Sequence, residues 1–331
     1  MGASSSSTTW PCAAVHRAPL APRTTMRIGG EAEWLLEPAT PEELREAWCA
    51  ALERGYAPRV LGGGANLLIE DGLHRGVVLT TDRMARTFRP GAAHTPEEDA
   101  AQRASGIERE PVLVAWAGAP MPRLCRTARE LALTGLEGLA GVPGHIGGGI
   151  AMNAGGRWGE LWDVVESVRV MTPGGEEQEL ERDDCSPGYR DGGLGERIVL
   201  SAVLRLAPDD PQAVRERVRG FLAEKNQAQP VSEHSSGCMF RNPDPELSDG
   251  RGAGQLIDDC GGKGLSRGDA VVSPKHGNFI VNRGSARAED VLGLMGDVRR
   301  LVRDRTGIEL ITEVRIWHRP SAEGPAGPDD A

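Results

Sequence analysis

Gly135–Gly156 reads GLEGLAGVPGHIGGGIAMNAGG and places glycine at 135, 138, 141, 144 and 147, with apolar residues threaded between. Glycine at every third position suggests a collagen helix, but the run is too short and proline too sparse for that. A solvent loop is a second reading. Leu136, Leu139, Val142, Ile146, Ile150 and Met152 oppose it, because solvent loops seldom carry so many groups that need burial. The remaining reading is a backbone cradle. Glycine lets the chain approach a ligand closely and adopt positive φ, and successive N–H groups then form a nest for pyrophosphate oxygens.

A second glycine stretch, Gly62-Gly63-Gly64-Ala65-Asn66-Leu67, follows the short apolar run Arg59-Val60-Leu61. Neither stretch has the G-x-G-x-x-G spacing before a helix, and neither carries the GK[ST] of a P-loop. The cradle is therefore of another kind, and the residues alone leave its ligand open.

Outward from these loops, helices and strands mix without a regular βαβ cadence, which favours an α+β fold. A helix opens at Thr40-Pro41-Glu42-Glu43, with a cap, a first-turn proline and a capping-box glutamate. Leu44, Trp48, Ala51 and Leu52 are expected on its inner face, and Gly55 ends it. Strands are expected at 59–61, 76–81, 111–118, 163–172, 197–206 and 307–317, and helices over 120–135, near 212–226, and around Val291, Leu294, Val298 and Leu301. The segment 207–212 reads as a linker. The domain reading is a tail at 1–20, one region at 21–207 in two α+β parts (about 21–82 and 83–207), a smaller domain at 208–319, and a tail at 320–331. Met1-Gly2 with Ser6 fits the loose myristoylation pattern, but a flexible serine-rich tail is the simpler reading.

The chain has 331 residues, 48 acidic against 38 basic, and a formal net charge of −10. That balance argues against a nucleic-acid or anionic-membrane partner. No apolar run approaches the roughly 20 residues needed to span a bilayer. The six cysteines, at 12, 49, 125, 185, 238 and 260, show neither C-x-x-C nor zinc spacing, so no metal site is expected and a reduced, cytoplasmic protein is.

Three residues are candidates for chemistry. Arg190, in the turn Gly188-Tyr189-Arg190-Asp191, can clamp a carboxylate or phosphate with two parallel hydrogen bonds, or be a surface arginine. Glu313, in ELITEVRIW, falls opposite the apolar face of Ile308, Leu310, Val314 and Ile316, as either an ion-paired structural group or a tuned acid. Cys238 lies in SSGCMFRNP among polar neighbours; it is either an inert buried sulfur or a thiol whose pKa Arg241 lowers. Lys275, His276 and Asn278 add polar groups in SPKHGNFIVN.

Taken in order, TTMRIGGEAEWLLEP, VLGGGANLLIEDGLHRGVVL, the glycine-rich stretch, GYRDG, SSGCMFRNP, AGQLIDDCGGKGLSRGDAVVSPKHGNFIVN and GIELITEVRIW resemble the UDP-N-acetylenolpyruvoylglucosamine reductase (MurB) family from about Thr24 to Trp317. The resemblance implies an FAD-binding domain of the vanillyl-alcohol-oxidase type, a smaller C-terminal α+β substrate domain, and the form without an extra tyrosine-bearing loop. It implies FAD and NADPH as cofactors, a nucleotide-sugar substrate and a monomeric chain.

By resemblance, Gly62, Gly63, Gly64, Ala65, Asn66 and Leu67, with Gly141, Pro143, Gly144, Ile146, Gly147, Gly148, Asn153 and Ala154, hold FAD. Tyr189, Arg241, Asn242, Lys275, His276 and Asn278 contact substrate. Reduced flavin gives hydride to C3 of the enolpyruvyl ether, Arg190 and Glu313 stabilise the enolate, and Cys238 gives the proton to C2. Thr24 stands where the family has asparagine, Ala65 where it has serine, and Cys238 where the donor is usually serine. Two alternatives remain: another flavin oxidase or dehydrogenase of the superfamily, or a silent FAD- or nucleotide-sugar-binding protein.

Overall fold

The computed structural model describes residues 9–90 and 110–319. The serine-rich start with its myristoylation pattern (1–8) and the tail from 320 lie outside the described residues. The first tail is shorter than expected, because Ala13–Pro19 is a strand paired antiparallel with Glu31–Glu37. Its side chains are mostly exposed, so AAVHRAP carries no burial pattern from which a strand could be read.

The first sheet runs in the order Ala13–Pro19, Glu31–Glu37, Leu73–Thr80, Arg59–Leu61, the last three mutually parallel. Helix Pro41–Glu53 connects two of them. Thr40 Oγ1 accepts from Glu43 N at 3.1 Å, while the Glu43 carboxylate accepts from Ala39 N at 2.8 Å, one residue ahead of the usual capping box. Leu44, Ala47, Trp48 and Ala51 are buried, but Leu52 lies past the edge of that stripe and is exposed.

The second sheet is antiparallel throughout, in the order Glu177–Glu181, Val165–Met171, Ile198–Arg205, Val112–Trp116, Thr87–Phe88. Trp48 Nε1 donates to Pro173 O at 2.9 Å and Arg45 Nε to Gly175 O at 2.9 Å, tying the first helix to a hairpin of this sheet. The helix expected over 120–135 ends sooner, as Met121–Glu130. Ala132 then turns to φ 54 and Leu133–Thr134 pair with Ala207–Pro208. The expected linker at 207–212 is thus part strand and part cap, with Asp210 accepting from Gln212 N and Ala213 N at 2.9 Å to open helix Pro211–Ala228.

The C-terminal part sets the antiparallel strands Ser266–Arg267, Ala270–Val272 and Ile280–Asn282 against helices Ala253–Asp259 and Ala288–Thr306. The strand expected over 307–317 forms only at Arg315–Trp317, which runs parallel to Leu67–Ile69 of the N-terminal half. The extended segment before it is pinned to SSGCMFRNP: Glu313 N donates to Met239 O and Arg241 N to Ile311 O, both at 2.8 Å. The core crosses the expected 207/208 boundary as well, since Met26, Ile28 and Leu68 share one cluster with Phe240, Leu256, Val291 and Val298. Residues of the N-terminal part therefore help to bury the C-terminal part.

Candidate active site

The two glycine loops meet back to back. A Cβ at Gly63 would lie 2.7 Å from Gly144 Cα, and one at Gly64, where φ is +58, would lie 2.4 Å from Arg23 O. Side chains at these positions would collide with backbone, which has no room to yield. Gly62 and Gly148 differ: a Cβ at either would meet nothing within 4 Å, so backbone faces open space there. Close-packed glycines fix the loops, and the open ones leave free space beside the backbone.

The glycine-rich segment is held to helix Pro211–Ala228 by two buried charges that its apolar reading overlooks, Glu137 of the segment and Lys225 of the helix. Glu137 is buried and accepts from Thr134 Oγ1 at 2.7 Å, Gly135 N at 2.6 Å and Arg217 Nη2 at 2.7 Å. Burial pushes its pKa up, but these donors outweigh burial and the carboxyl lies below the usual range. Lys225, also buried, donates to Gly138 O at 2.9 Å and Ala140 O at 2.7 Å. A glutamate amid glycines and leucines is the one sequence signal that pointed to this clamp.

Beside the loops three distant segments converge. Arg190 Nε donates to Glu313 Oε1 at 2.8 Å, Arg190 Nη1 to Gly155 O at 3.1 Å, and Tyr189 Oη to Glu313 Oε2 at 3.3 Å. The two side chains of the ion pair are 17% and 6% exposed, so solvent screens the pair little. Arg190 sits at φ 57, an uncommon conformation for a non-glycine residue. Such a residue costs about 1–3 kcal/mol and persists where surrounding structure imposes it. The Gly188–Asp191 turn supplies that constraint, and Asn153 Nδ2 donates to Gly188 O at 3.1 Å.

Cys238 is the third member, half-buried beside the Arg190–Glu313 pair. Its backbone bridges Phe279, and a Cβ on the preceding Gly237 would lie 3.9 Å from Ala65 O, so the thiol segment borders the first glycine loop. Burial and then the Glu313 charge push the thiol pKa up to about 12, against a lowering by Arg190. The expected role of Arg241 is corrected here: Arg190 is the cation that bears on the sulfur, and the group is a neutral thiol at ordinary pH. Burial opposes the Arg190 charge too, yet the Glu313 carboxylate outweighs it and the guanidinium pKa is raised.

Comparison with known proteins identifies the lineage. Residues 229–317 match the UDP-N-acetylenolpyruvoylglucosamine reductase C-terminal domain, and residues 32–181 match an FAD binding domain. The enzyme of that name from Deinococcus radiodurans is 38% identical over 92% of this chain and 96% of its own, and that from Desulfosudis oleivorans 37% over 90% and 92%. The crystal structure of the Thermus caldophilus enzyme superposes with a TM-score of 0.73 at 33% identity, covering 92% of this chain and 98% of that one. The chain belongs to the UDP-N-acetylenolpyruvoylglucosamine reductase family.

In this family member the α+β fold is an FAD-binding domain followed by the family's C-terminal domain. The open space at Gly62 and Gly148, with no side chain to fill it, leaves room for a pyrophosphate-bearing cofactor to approach the backbone. The other expected cofactor residues divide. Leu67 and Ile146 have buried side chains that pack in the core. Asn66 Nδ2 donates to Glu313 O at 3.1 Å, coupling the loop to the ion pair. Asn153 is buried and spends its amide on Glu160 Oε2, Gly188 O and Trp162 N. Gly141, Pro143, Gly144, Gly147 and Ala154 lie along the same loop and stay at least partly exposed.

Several expected substrate contacts have their side chains engaged within the fold. Asn278 is buried, accepting from Phe240 N at 2.9 Å and donating to Phe240 O at 2.7 Å, so it holds the segment that carries Cys238. Asn242 Oδ1 accepts from Ala253 N at 3.0 Å at the head of helix Ala253–Asp259. His276 Nδ1 accepts from Asn278 N at 3.1 Å, and its pKa is lowered chiefly by burial. Lys275 Nζ donates to Asn226 O. Tyr189, in contrast, is 48% exposed beside the pair. Arg241 Nε and Ser236 Oγ are buried atoms without a hydrogen-bond partner, flanking Cys238 in sequence. Buried orphans of this kind call for a ligand or water.

Proposed function

We propose that the chain reduces the enolpyruvyl ether of UDP-N-acetylglucosamine to UDP-N-acetylmuramate, a step of peptidoglycan precursor synthesis. The observation that carries this reading is the convergence of Arg190, Glu313 and a neutral Cys238 thiol beside the two glycine loops. Gly62–Asn66 and Gly141–Gly148 would hold FAD, which supplies hydride chemistry with NADPH as its reductant.

The protein's part is charge placement and proton delivery. With Nε on Glu313 and one Nη1 hydrogen on Gly155 O, Arg190 has no hydrogen-bond partner for Nη2 among the described residues. That edge can take up the negative charge that grows on the substrate carboxylate as C3 gains hydride. Glu313 fixes the guanidinium in place and, through Tyr189, joins it to Asn242 N. The thiol stays loaded with its proton, and the enolate α-carbon is a strong enough base to take it at C2. Arg190 then stands beside the thiolate left behind.

Tyr189 and the orphan Arg241 Nε are the substrate contacts this reading favours, with residues 21–207 as cofactor region and 208–319 as substrate domain. All six cysteines are free, in keeping with a reduced, cytoplasmic setting. No helix of the described residues is long and apolar enough to cross a membrane.

The test is flavin absorbance of the purified protein and NADPH oxidation with and without the enolpyruvyl nucleotide sugar. A yellow protein that consumes NADPH in proportion to that substrate is the expected result. A colourless protein that cannot be reconstituted with FAD would overturn the reading.

A further inference from the structure

His145 lies at the seam of the two glycine loops. The first loop, GGGAN (62–66), and the second, GVPGHIGG (141–148), contain no lysine, arginine, aspartate or glutamate; His145 is the one residue of either that can gain a charge. Its ring is largely enclosed, and Cδ2 lies 3.0 Å from where a Cβ on Gly63 would sit. Nδ1 is 3.0 Å from Thr81 Oγ1, and Nε2 faces Asp82 Oδ1 at 4.0 Å.

Behind Asp82 stands Arg23, which also pairs with Glu37 at 2.6 Å, so the acidic neighbour is itself balanced. The remaining elements against the ring, helix Ile146–Ala151 and the turn through Pro120 that bridges His145, bring no titratable side chain.

A pyrophosphate carries two negative charges. On these loops it would meet backbone N–H groups and no permanent cation of theirs. We infer that His145 is a proton-linked anchor of the cofactor site: seating a pyrophosphate-bearing cofactor on the glycine loops is coupled to proton uptake by the imidazole held between Thr81 and Asp82. This rests on the FAD reading above.

The geometry serves both protonation states without movement. The Thr81 hydroxyl can donate to a bare Nδ1 or accept from Nδ1–H, and Asp82 faces Nε2–H in either case. In the ligand-free chain burial holds the His145 pKa below its ordinary value, against the pull of Asp82. A nearby dianion favours the imidazolium and raises that pKa.

The sign follows from linkage. Below the free-state pKa and above the bound-state pKa, affinity is flat. Between them the bound form holds more protons, so affinity falls as pH rises, by at most about tenfold per pH unit for one proton.

The experiment titrates FAD into the cofactor-stripped full-length chain from pH 5.5 to 8.5 by flavin fluorescence. Calorimetry in two buffers of different ionisation enthalpy counts protons taken up, and both are repeated with His145→Asn. The wild type is expected to bind FAD more weakly as pH rises, by up to about tenfold per unit, and to take up a fraction of a proton on binding. His145→Asn is expected to show no pH slope and no uptake. Binding by the wild type with a flat pH profile and no proton uptake overturns the inference while leaving the FAD reading intact, and needs no variant to be interpreted. Equal slopes in both proteins overturn it too. No FAD binding at any pH overturns both readings together.

Discussion

Arg190→Lys keeps a positive charge where the fold requires one but removes the fork. Arginine makes two contacts here, Nε on Glu313 Oε1 at 2.8 Å and Nη1 on Gly155 O at 3.1 Å, and still presents Nη2. A single ammonium can keep the Glu313 pair or reach a substrate carboxylate, not both. Because the charge remains, the roughly 3–5 kcal/mol penalty of orphaning a buried partner does not apply. The fold loses about 1 kcal/mol with the Gly155 hydrogen bond. On the proposed reaction, catalysis loses a preorganised donor aimed at developing charge, which costs about a hundred- to a thousandfold in kcat. Steady-state NADPH oxidation with the enolpyruvyl substrate reads the second effect. Rapid-mixing reduction of bound flavin by NADPH alone, in which no enolate forms, is the internal control and is expected to stay within about twofold of wild type. A variant with kcat within threefold of wild type would refute the argument for Nη2. Equal losses in both half-reactions would show that Arg190 serves the cofactor rather than the enolate.

Cys238→Ser is expected to retain substantial turnover, and Cys238→Ala to lose product formation while flavin reduction by NADPH survives; loss of that reduction in the alanine variant would contradict a role confined to proton donation. Burial moves Lys225 down from 10.5 to about 8, so between those values the unfolded chain binds more protons and stability rises with pH. Urea unfolding of wild type and Lys225→Met across pH 8 to 10.5 should therefore diverge in favour of wild type, with an upper bound on the order of 3 kcal/mol. Parallel curves would show that the ammonium is not shielded as the contacts with Gly138 O and Ala140 O imply.

The close approach of the glycine loops was legible because a missing Cβ is a property of sequence. Gly63 and Gly64 read as close-approach positions, and their neighbours are backbone atoms. Arg190, Cys238 and Glu313 were legible only as a set, through the order of motifs; singly, each had a structural alternative. The asparagines were not. Asn153, Asn242 and Asn278 satisfy backbone groups, and a side chain that does so looks in sequence like one that awaits a ligand. Strand Ala13–Pro19 was missed because it is held by ladder hydrogen bonds with little burial, and the pairing of Arg315–Trp317 with Leu67–Ile69 because three residues carry no period. The thiol's protonation state depended on burial and on the Glu313 charge, which together outweigh Arg190, and neither is written in SSGCMFRNP.

The parallel pairing of Arg315–Trp317 with Leu67–Ile69 has a consequence for biogenesis. Asn66 Nδ2 donates to Glu313 O, and Arg315 N to Asn66 O, only when a segment 247 residues further along the chain returns to the first glycine loop. The first glycine loop therefore emerges from the ribosome without its flanking strand partner and without Glu313. Domains tend to fold in order of synthesis, but this centre joins residues from both parts of the chain. A nascent chain halted before residue 313 has its glycine loops and no Arg190–Glu313 ion pair.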